Sequence, residues 1–398
     1  MKRRDFLKTS IAGMAGAAAF ATDASAIGRP VENRKISDIP FPQKRPMITY
    51  SDRPPLLETP KEYFTSAYTP NDLFFVRWHL PDIPTHIDTK KFRIKIDGEV
   101  EHELSIGLDE LKNDFEPVTV SAVQQCGGNG RSAFKDPTPG GIQWGNGAMG
   151  CAKWKGVRLR DILDRAGLKK DAKWVGFNGL EKAAYYKTPN FVRELHLDEI
   201  GDHVIVAYQM NGEDLPYLNG FPVRLIIPGY YSDSWVKMLS RLTVTKDYQH
   251  LFFMDKAYRV PDNKTESQKP GQKVKTKPIT KMNVKSVIGY PTPGMKLYHN
   301  SHVTVRGVAF DHGAGIRKVE ISIDGGKSWH EAKLGEDNGR YAYRTFRYNF
   351  KPIEHGKMQI MARATNHAGE QQPMAKDIGW NPGGYKYNGI DVVDVTVV

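Results

Sequence analysis

The chain has 398 residues, more than one ordinary compact domain holds, and points to two or three domains. Its composition, 39% hydrophobic, 11% aromatic and 26% charged, is globular and excludes a disordered, collagen-like or disulfide-scaffold protein. A formal charge of +12, from 57 Lys+Arg against 45 Asp+Glu, leaves open nucleic acid, an anionic membrane, an acidic protein or a small anionic substrate.

Lys2-Arg3-Arg4-Asp5-Phe6-Leu7-Lys8 precedes an apolar run from Ile11 to Ala21, and Ala24-Ser25-Ala26 follows with small residues. A charged start, a short apolar stretch and A-x-A read as an export signal over residues 1–26, too short to span a bilayer stably. The paired arginines before Phe6-Leu7-Lys8 look like a twin-arginine signal, except that Lys2 stands where Ser or Thr is usual; an ordinary secretory signal is the alternative. Twin-arginine export carries proteins already folded, often around a cofactor, so a cofactor and a periplasmic location are expected. Removing Lys2, Arg3, Arg4 and Lys8 against Asp5 and Asp23 takes away a net +2, so about +10 of the +12 stays with the folded protein. Export removes nucleic acid from the partner classes, and no later segment is apolar enough to cross a membrane.

Residues 27–70 are rich in Pro and charge and read as an extended arm that wraps rather than a core. Leu73 to Leu80 has strand composition, and period two puts Phe75, Arg77 and His79 on one face. Two cations among aromatics there are costly unless something anionic sits beside them. Phe92 to Val100 alternates and turns at Asp97-Gly98; Leu159, Ile162, Leu163 and Ala166 follow helical spacing and stop at Gly167. Val204–Met210, Val223–Ile227 and the run around Leu242 and Val244 read as strands. Between about 255 and 286, eight Lys and three Pro predict a linker or exposed loop, a solvated surface or, alternatively, a docking patch for an acidic partner. From about 290 onward, alternation at Val303–Val308, Val319–Asp324 and Met358–Ala364, with a hairpin signal at Asp324-Gly325-Gly326, predicts an immunoglobulin-like β-sandwich. Its histidines show no ligand spacing and no catalytic constellation is expected there, so self-association is its expected role.

Only two cysteines are present, Cys126 and Cys151. An exported chain makes one disulfide the plain expectation, while a single thiolate ligand to a soft metal stays open. Two cysteines are too few for a Cys-rich zinc site or an iron–sulfur cluster, and there is no C-x-x-C-H for haem. Cys126 lies in Gln124-Gln125-Cys126-Gly127-Gly128-Asn129-Gly130-Arg131-Ser132, where glycines allow close backbone approach and Arg131 offers an anion-binding fork. Phosphate cradling matches neither glycine fingerprint, and a nucleophilic Cys would need a His base that spacing does not identify.

Four segments together carry a resemblance: Arg77-Trp78-His79, Cys126-Gly127-Gly128-Asn129-Gly130-Arg131, Asn219-Gly220-Phe221-Pro222-Val223-Arg224 and Trp235-Val236-Lys237. In this order and spacing they resemble the sulfite oxidase family of molybdenum enzymes, specifically bacterial periplasmic sulfite dehydrogenases, over most of the mature chain. The resemblance implies an α+β protein: signal peptide 1–26, arm 27–70, molybdopterin-binding catalytic domain 71–275 of mixed α/β structure, and a dimerisation sandwich 276–398. It implies Cys126 as the molybdenum ligand, with Arg77, Arg131 and Tyr258 around the substrate. Phe75, Arg77, His79, Asn219, Arg224, Trp235, Val236 and Lys237 are implied as molybdopterin contacts. Asn219 stands where the family often has His, and Tyr258 is placed by spacing alone. The implied reaction is oxidation of sulfite to sulfate, with electrons passed singly to a c-type cytochrome, no haem in this chain, and a homodimer. A disulfide would consume the metal ligand, so Cys151 reads as a small buried residue. The related sulfane dehydrogenase subunit of thiosulfate-oxidising complexes is a near alternative; a secreted binding protein without cofactor is the alternative of another class.

Overall fold

The computed structural model describes residues 36–37 and 40–398, so the export signal lies outside the described residues. Near the N-terminus β1 (Ile36–Ser37), β2 (Met47–Asp52), β3 (Pro55–Glu58) and β4 (Val76–Arg77) pair in sequence order. All four residues of β3 are buried, and Leu56, Leu57 and Phe64 pack into the hydrophobic cores. The segment therefore follows an arm's course, but its apolar residues are core, which the Pro and charge content around them concealed.

The strand predicted over Leu73–Leu80 is shorter than its alternation suggested. A 3-10 turn covers Asn71–Leu73, and only Val76 and Arg77 find a partner, in β3. Side-chain alternation persists beyond the pairing: Val76 and Trp78 enter a core with Met47, Leu57 and Met238, whereas Phe75, Arg77 and His79 turn the other way.

The alternation at Phe92–Val100 produces β5 (Arg93–Gly98), with Ile94 and Ile96 buried between exposed Arg93 and Lys95. It sits in a mixed sheet with β6 (Leu104–Gly107), β9 (Trp174–Gly179), β10 (Val192–His196) and β14 (Leu239–Thr245), ordered β10-β9-β14-β5-β6. β14 runs parallel to β5, the others antiparallel. A second sheet joins β7 (Pro117–Gln125), β8 (Met149–Arg158), β11 (Ile205–Met210), β12 (Glu213–Asp214) and β13 (Arg224–Ile226). Helices α1 (Leu108–Asn113) and α2 (Leu159–Ala166) lie beside these sheets. In α2, Leu159, Ile162, Leu163 and Ala166 are buried, as their spacing predicts, and Gly167 ends it at φ +70°, a backbone that glycine adopts without strain.

The lysine-rich stretch is more ordered than a linker. Helix α3 (Phe252–Asp255) leads to a hairpin of β15 (Arg259–Pro261) and β16 (Thr276–Pro278), and Val260, Ile279 and Met282 are buried in the main core. Few but well-placed apolar residues anchor it, while most of its lysines stay exposed.

Nine strands build the predicted sandwich: β17 (Lys285–Tyr290), β18 (Lys296–Leu297), β19 (Val303–Phe310), β20 (Ile316–Ser322), β21 (His330–Glu331), β22 (Lys333–Leu334), β23 (Arg344–Phe350), β24 (Gly356–Asn366) and β25 (Asp391–Val397). The sheets run β17-β19-β23-β22 and β18-β25-β24-β20-β21 around their own core. The Asp324-Gly325-Gly326 signal falls in the β20–β21 connection, both glycines at positive φ. No helix among the described residues is long and apolar enough to cross a membrane.

A buried polar layer joins the sandwich to the first domain. Asp391 accepts from Lys61 Nζ, Asn146 Nδ2 and the Ile288 amide at 2.7–3.0 Å, and Lys285 Nζ donates to Tyr387 O at 3.1 Å. Burial pushes Lys285 down to about 7, against the pull of Asp391. The unfolded chain therefore holds a proton on Lys285 that the folded chain releases between pH 7 and the ordinary lysine range, so this group adds stability as pH rises through that window. Thermal melts from pH 7 to 10 are expected to shift in favour of wild type relative to Lys285→Met; parallel profiles would contradict the assignment.

Candidate active site

The end of β7 turns inward at Cys126. Its amide donates to Ala148 O at 3.0 Å, and the Asn129 amide returns to Cys126 O at 2.9 Å, closing a tight loop. A Cβ on Gly128 would lie 2.4 Å from Arg131 Nη2, and one on Gly127 2.3 Å from Ile279, so the loop needs both glycines for close approach. Asn129 Oδ1 accepts from the Ala148 amide and fixes the loop from behind. The thiol is buried, as is that of Cys151, and the two are not bonded to each other. Burial raises the Cys126 pKa while Arg77 and Arg131 pull it down. Cys151 is pushed up to about 12 by burial, in keeping with a small packed residue.

Arg131 is 6% exposed and held firmly. Its Nε donates to Gly383 O at 2.7 Å, its Nη1 to Ile142 O at 2.8 Å, and its plane lies over the Tyr385 ring at 5.2 Å. Arg77 reaches the same cleft from β4, with one Nη1 hydrogen committed to Trp78 O. His79 stacks on Phe191 with ring centroids 3.5 Å apart, and its Nε2 meets Tyr258 Oη at 2.5 Å. Burial, with Arg77 and Lys237 nearby, drives the His79 pKa well below its ordinary value, so the ring is neutral at physiological pH. Tyr258 is buried with φ +57°, an unfavourable backbone for an aromatic residue, and burial raises its phenol pKa.

Arg224 and Lys237 sit behind this group. Arg224 donates to Asn219 O and Trp235 O at 2.8 and 3.1 Å, and burial lowers it to about 9. Lys237 Nζ lies 4.4 Å from the Trp78 ring centre; burial lowers it to about 7, against the opposing charge of Glu181.

Phe75, Arg77, His79, Cys126, Trp235, Lys237 and Tyr258 line one small inner chamber. It adjoins a cleft of about 710 Å³ that shares Arg77, His79, Cys126 and Tyr258 and adds Arg131. Asn219, Arg224 and Val236 are buried near this chamber but do not line it. The Asn219 amide is occupied within the protein, accepting from Lys44 Nζ at 2.6 Å and donating to Phe75 O at 3.1 Å. Val236 contributes its backbone, accepting from the Leu225 amide.

Sequence reasoning missed three contributors. Asp233 lines the chamber in a buried ion pair with Arg193 at 2.7 Å; burial raises it to about 6 despite that arginine. Its place two residues before Trp235 was the available signal. Glu181 is buried and accepts from the His79 and Leu80 amides, with its other oxygen 4.0 Å from His79 Nδ1. The sandwich domain also reaches the site, contrary to expectation: Pro382, Gly383 and Tyr385 line the cleft, and the Lys386 amide donates to Gly127 O. These contacts cross about 250 residues of sequence, which local pattern does not reveal.

Residues 79–253 match the family described as "Oxidoreductase molybdopterin binding domain", and residues 276–396 match "Mo-co oxidoreductase dimerisation domain". The chain is 31% identical over 360 residues to sulfite oxidase of Gallus gallus, covering 85% of this chain and 76% of that protein. It is 31% identical to mitochondrial sulfite oxidase of Mus musculus over 87% of this chain, but spans 65% of that relative's length. Among solved structures, the sulfane dehydrogenase SoxCD from Paracoccus pantotrophus shares the fold at a TM-score of 0.75 and 23% identity, covering 95% of both chains. With both domains matched and a relative at 31% identity covered over three quarters of its length, the chain belongs to the sulfite oxidase family.

Proposed function

We propose that this protein oxidises sulfite in the periplasm, by SO₃²⁻ + H₂O → SO₄²⁻ + 2 H⁺ + 2 e⁻, and passes the electrons singly to a c-type cytochrome. The observation that carries this reading is the convergence of the Cys126 thiol with the Arg77 and Arg131 guanidiniums on one cleft above a polar chamber.

The residues fit a molybdenum–molybdopterin group. His79 Nδ1, Gln124 Oε1, Glu181 Oε1, Arg224 Nε, Asp233 Oδ1 and Trp235 Nε1 are buried without a hydrogen-bond partner, in residues that line or adjoin the chamber. Such orphaned groups cost about 1–3 kcal/mol each unless something polar meets them. Cys126 would hold the soft metal; His79, Trp235, Arg224 and Lys237 would hold the pterin and its phosphate. When bound, the group supplies two-electron redox chemistry at the sulfur.

The chain's own residues bind and orient the anion. Arg131 is fixed by two carbonyls and a ring, so its guanidinium stands at the cleft wall without further loss of side-chain entropy. Arg77 brings a second cation to the same space. Tyr258 Oη, held by His79 Nε2, offers a neutral phenol that stays protonated and hydrogen-bonds an anionic oxygen.

Arg131→Gln is expected to raise KM for sulfite about 10- to 100-fold, the worth of one charge-assisted bond, with a smaller change in kcat. Arg131→Lys keeps the charge but loses the fork and should recover only part of it. Steady-state kinetics with ferricyanide as acceptor measures both; an unchanged KM in Arg131→Gln removes the anion-binding role.

The cleft volume, large for a four-atom anion, favours a second reading in which a sulfane group on a larger carrier is oxidised. Turnover of free sulfite without any carrier decides for the first.

A further inference from the structure

We propose that the rim of the cleft is a docking surface for an acidic, one-electron carrier protein, made of an exposed tyrosine pair and unpaired lysines. The inference rests on the reading of the chain as a sulfite-oxidising enzyme and names where its electrons leave.

The loop between β9 and β10 carries Tyr185 and Tyr186, 50% and 83% exposed, at the mouth of the cleft that Tyr185 helps to line. Their rings pack on each other at 4.8 Å, and Lys187 Nζ lies 5.6 Å from the Tyr186 ring centre. Two large rings held against each other in water suit a macromolecular partner, because Tyr supplies broad contact area at little entropic cost. A small anion needs neither ring.

The lysine-rich stretch also borders the cleft, through Lys256, Gln268 and Thr276. Its acids are already neutralised: Asp262 pairs with Lys275 and Lys277, and Glu266 with Lys277 and Lys386. Asp255, on the cleft wall, is taken up by Tyr248 and His250. Lys187, Lys256, Lys269 and Lys273 remain exposed with no ion-pair partner among the described residues. The rim thus presents uncompensated positive charge and an aromatic pair at the same cleft that Cys126 lines. A partner of opposite sign would be steered there, and a redox centre at its surface would come to rest at the mouth of the cleft that Cys126 lines. Sulfite oxidation releases two electrons, so two such encounters complete one turnover, each carrier leaving with one electron.

The test uses full-length enzyme with sulfite and two acceptors: ferricyanide at saturation in 0.2 M salt, and an acidic bacterial c-type cytochrome. In Tyr186→Ser, and separately in Lys269→Glu/Lys273→Glu, KM for the cytochrome is expected to rise about tenfold or more, while kcat with ferricyanide stays within about twofold of wild type. The wild-type rate at low cytochrome concentration is expected to fall as salt rises from about 20 to 200 mM. Cytochrome KM values unchanged in both variants overturn the docking surface and leave sulfite oxidation standing. Variants that shift KM for sulfite instead assign the rim to substrate entry and overturn it equally. Wild-type protein that reduces neither acceptor with sulfite overturns the underlying function.

Discussion

In the Cys126→Ser variant, sulfite-dependent reduction of ferricyanide is expected to fall by about three orders of magnitude or more, with loss of the thiolate-to-metal absorption band. The serine hydroxyl is nearly isosteric, so the loop should survive: its shape rests on backbone bonds from Cys126 to Ala148 and Asn129, and on the Asn129 side chain. What is lost is softness. Burial holds the free thiol protonated in spite of Arg77 and Arg131, and only a coordinated metal ion makes the deprotonated form stable there. Near-ultraviolet dichroism and a melting curve like the wild type's, together with lost turnover, would separate ligation from folding. A folded variant of undiminished rate would remove Cys126 from the chemistry.

Arg193→Met carries the largest expected effect on stability. Arg193 and Asp233 form a buried pair at 2.7 Å, each side chain 1% exposed, and the arginine also donates to Phe253 O and lies over the Tyr258 ring. Removing the cation strands a buried carboxylate and is expected to cost about 3–5 kcal/mol. The sign of the pH response follows from Asp233. Its folded pKa is already raised to about 6, burial outweighing Arg193, and losing that arginine raises it further. Protonation removes the stranded charge, so the deficit shrinks as pH falls from 7 through 6. Arg193→Met/Asp233→Asn should regain part of the loss at pH 7. Thermal melts at pH 7.5 and 5.5 check both statements; a deficit that grows on acidification would contradict them.

The parts of the site legible in the sequence are those carried by short local pattern. Alternation placed Phe75, Arg77 and His79 on one side although only two residues of that run pair as a strand, because side-chain direction follows extended backbone, paired or not. Glycines around Cys126 announced a close approach, and the distances from Gly127 and Gly128 to Ile279 and Arg131 give its cause. Helix α2 and its Gly167 stop were legible from spacing because one face meets a single continuous core. The illegible parts depend on contacts between distant segments. Nothing near Gly383 or Tyr385 hints that they grip Arg131, and Glu181 looks like any surface carboxylate until the fold buries it beneath the His79 and Leu80 amides. Asn219 aligns with a cofactor contact, but the arm's Lys44 takes its side-chain oxygen. The lysine-rich stretch read as a linker or exposed loop because composition averages over residues; most of its lysines are exposed, but Val260, Ile279 and Met282 reach the main core.

The central claim is that Cys126 holds molybdenum in a site that oxidises sulfite. The most direct measurement is molybdenum content per chain in protein from a molybdenum-replete host, read together with sulfite-dependent reduction of ferricyanide by the same preparation. The account predicts close to one molybdenum per chain, with turnover in proportion to metal content across preparations. Folded protein that contains no molybdenum, or that carries it and does not oxidise sulfite, would contradict it.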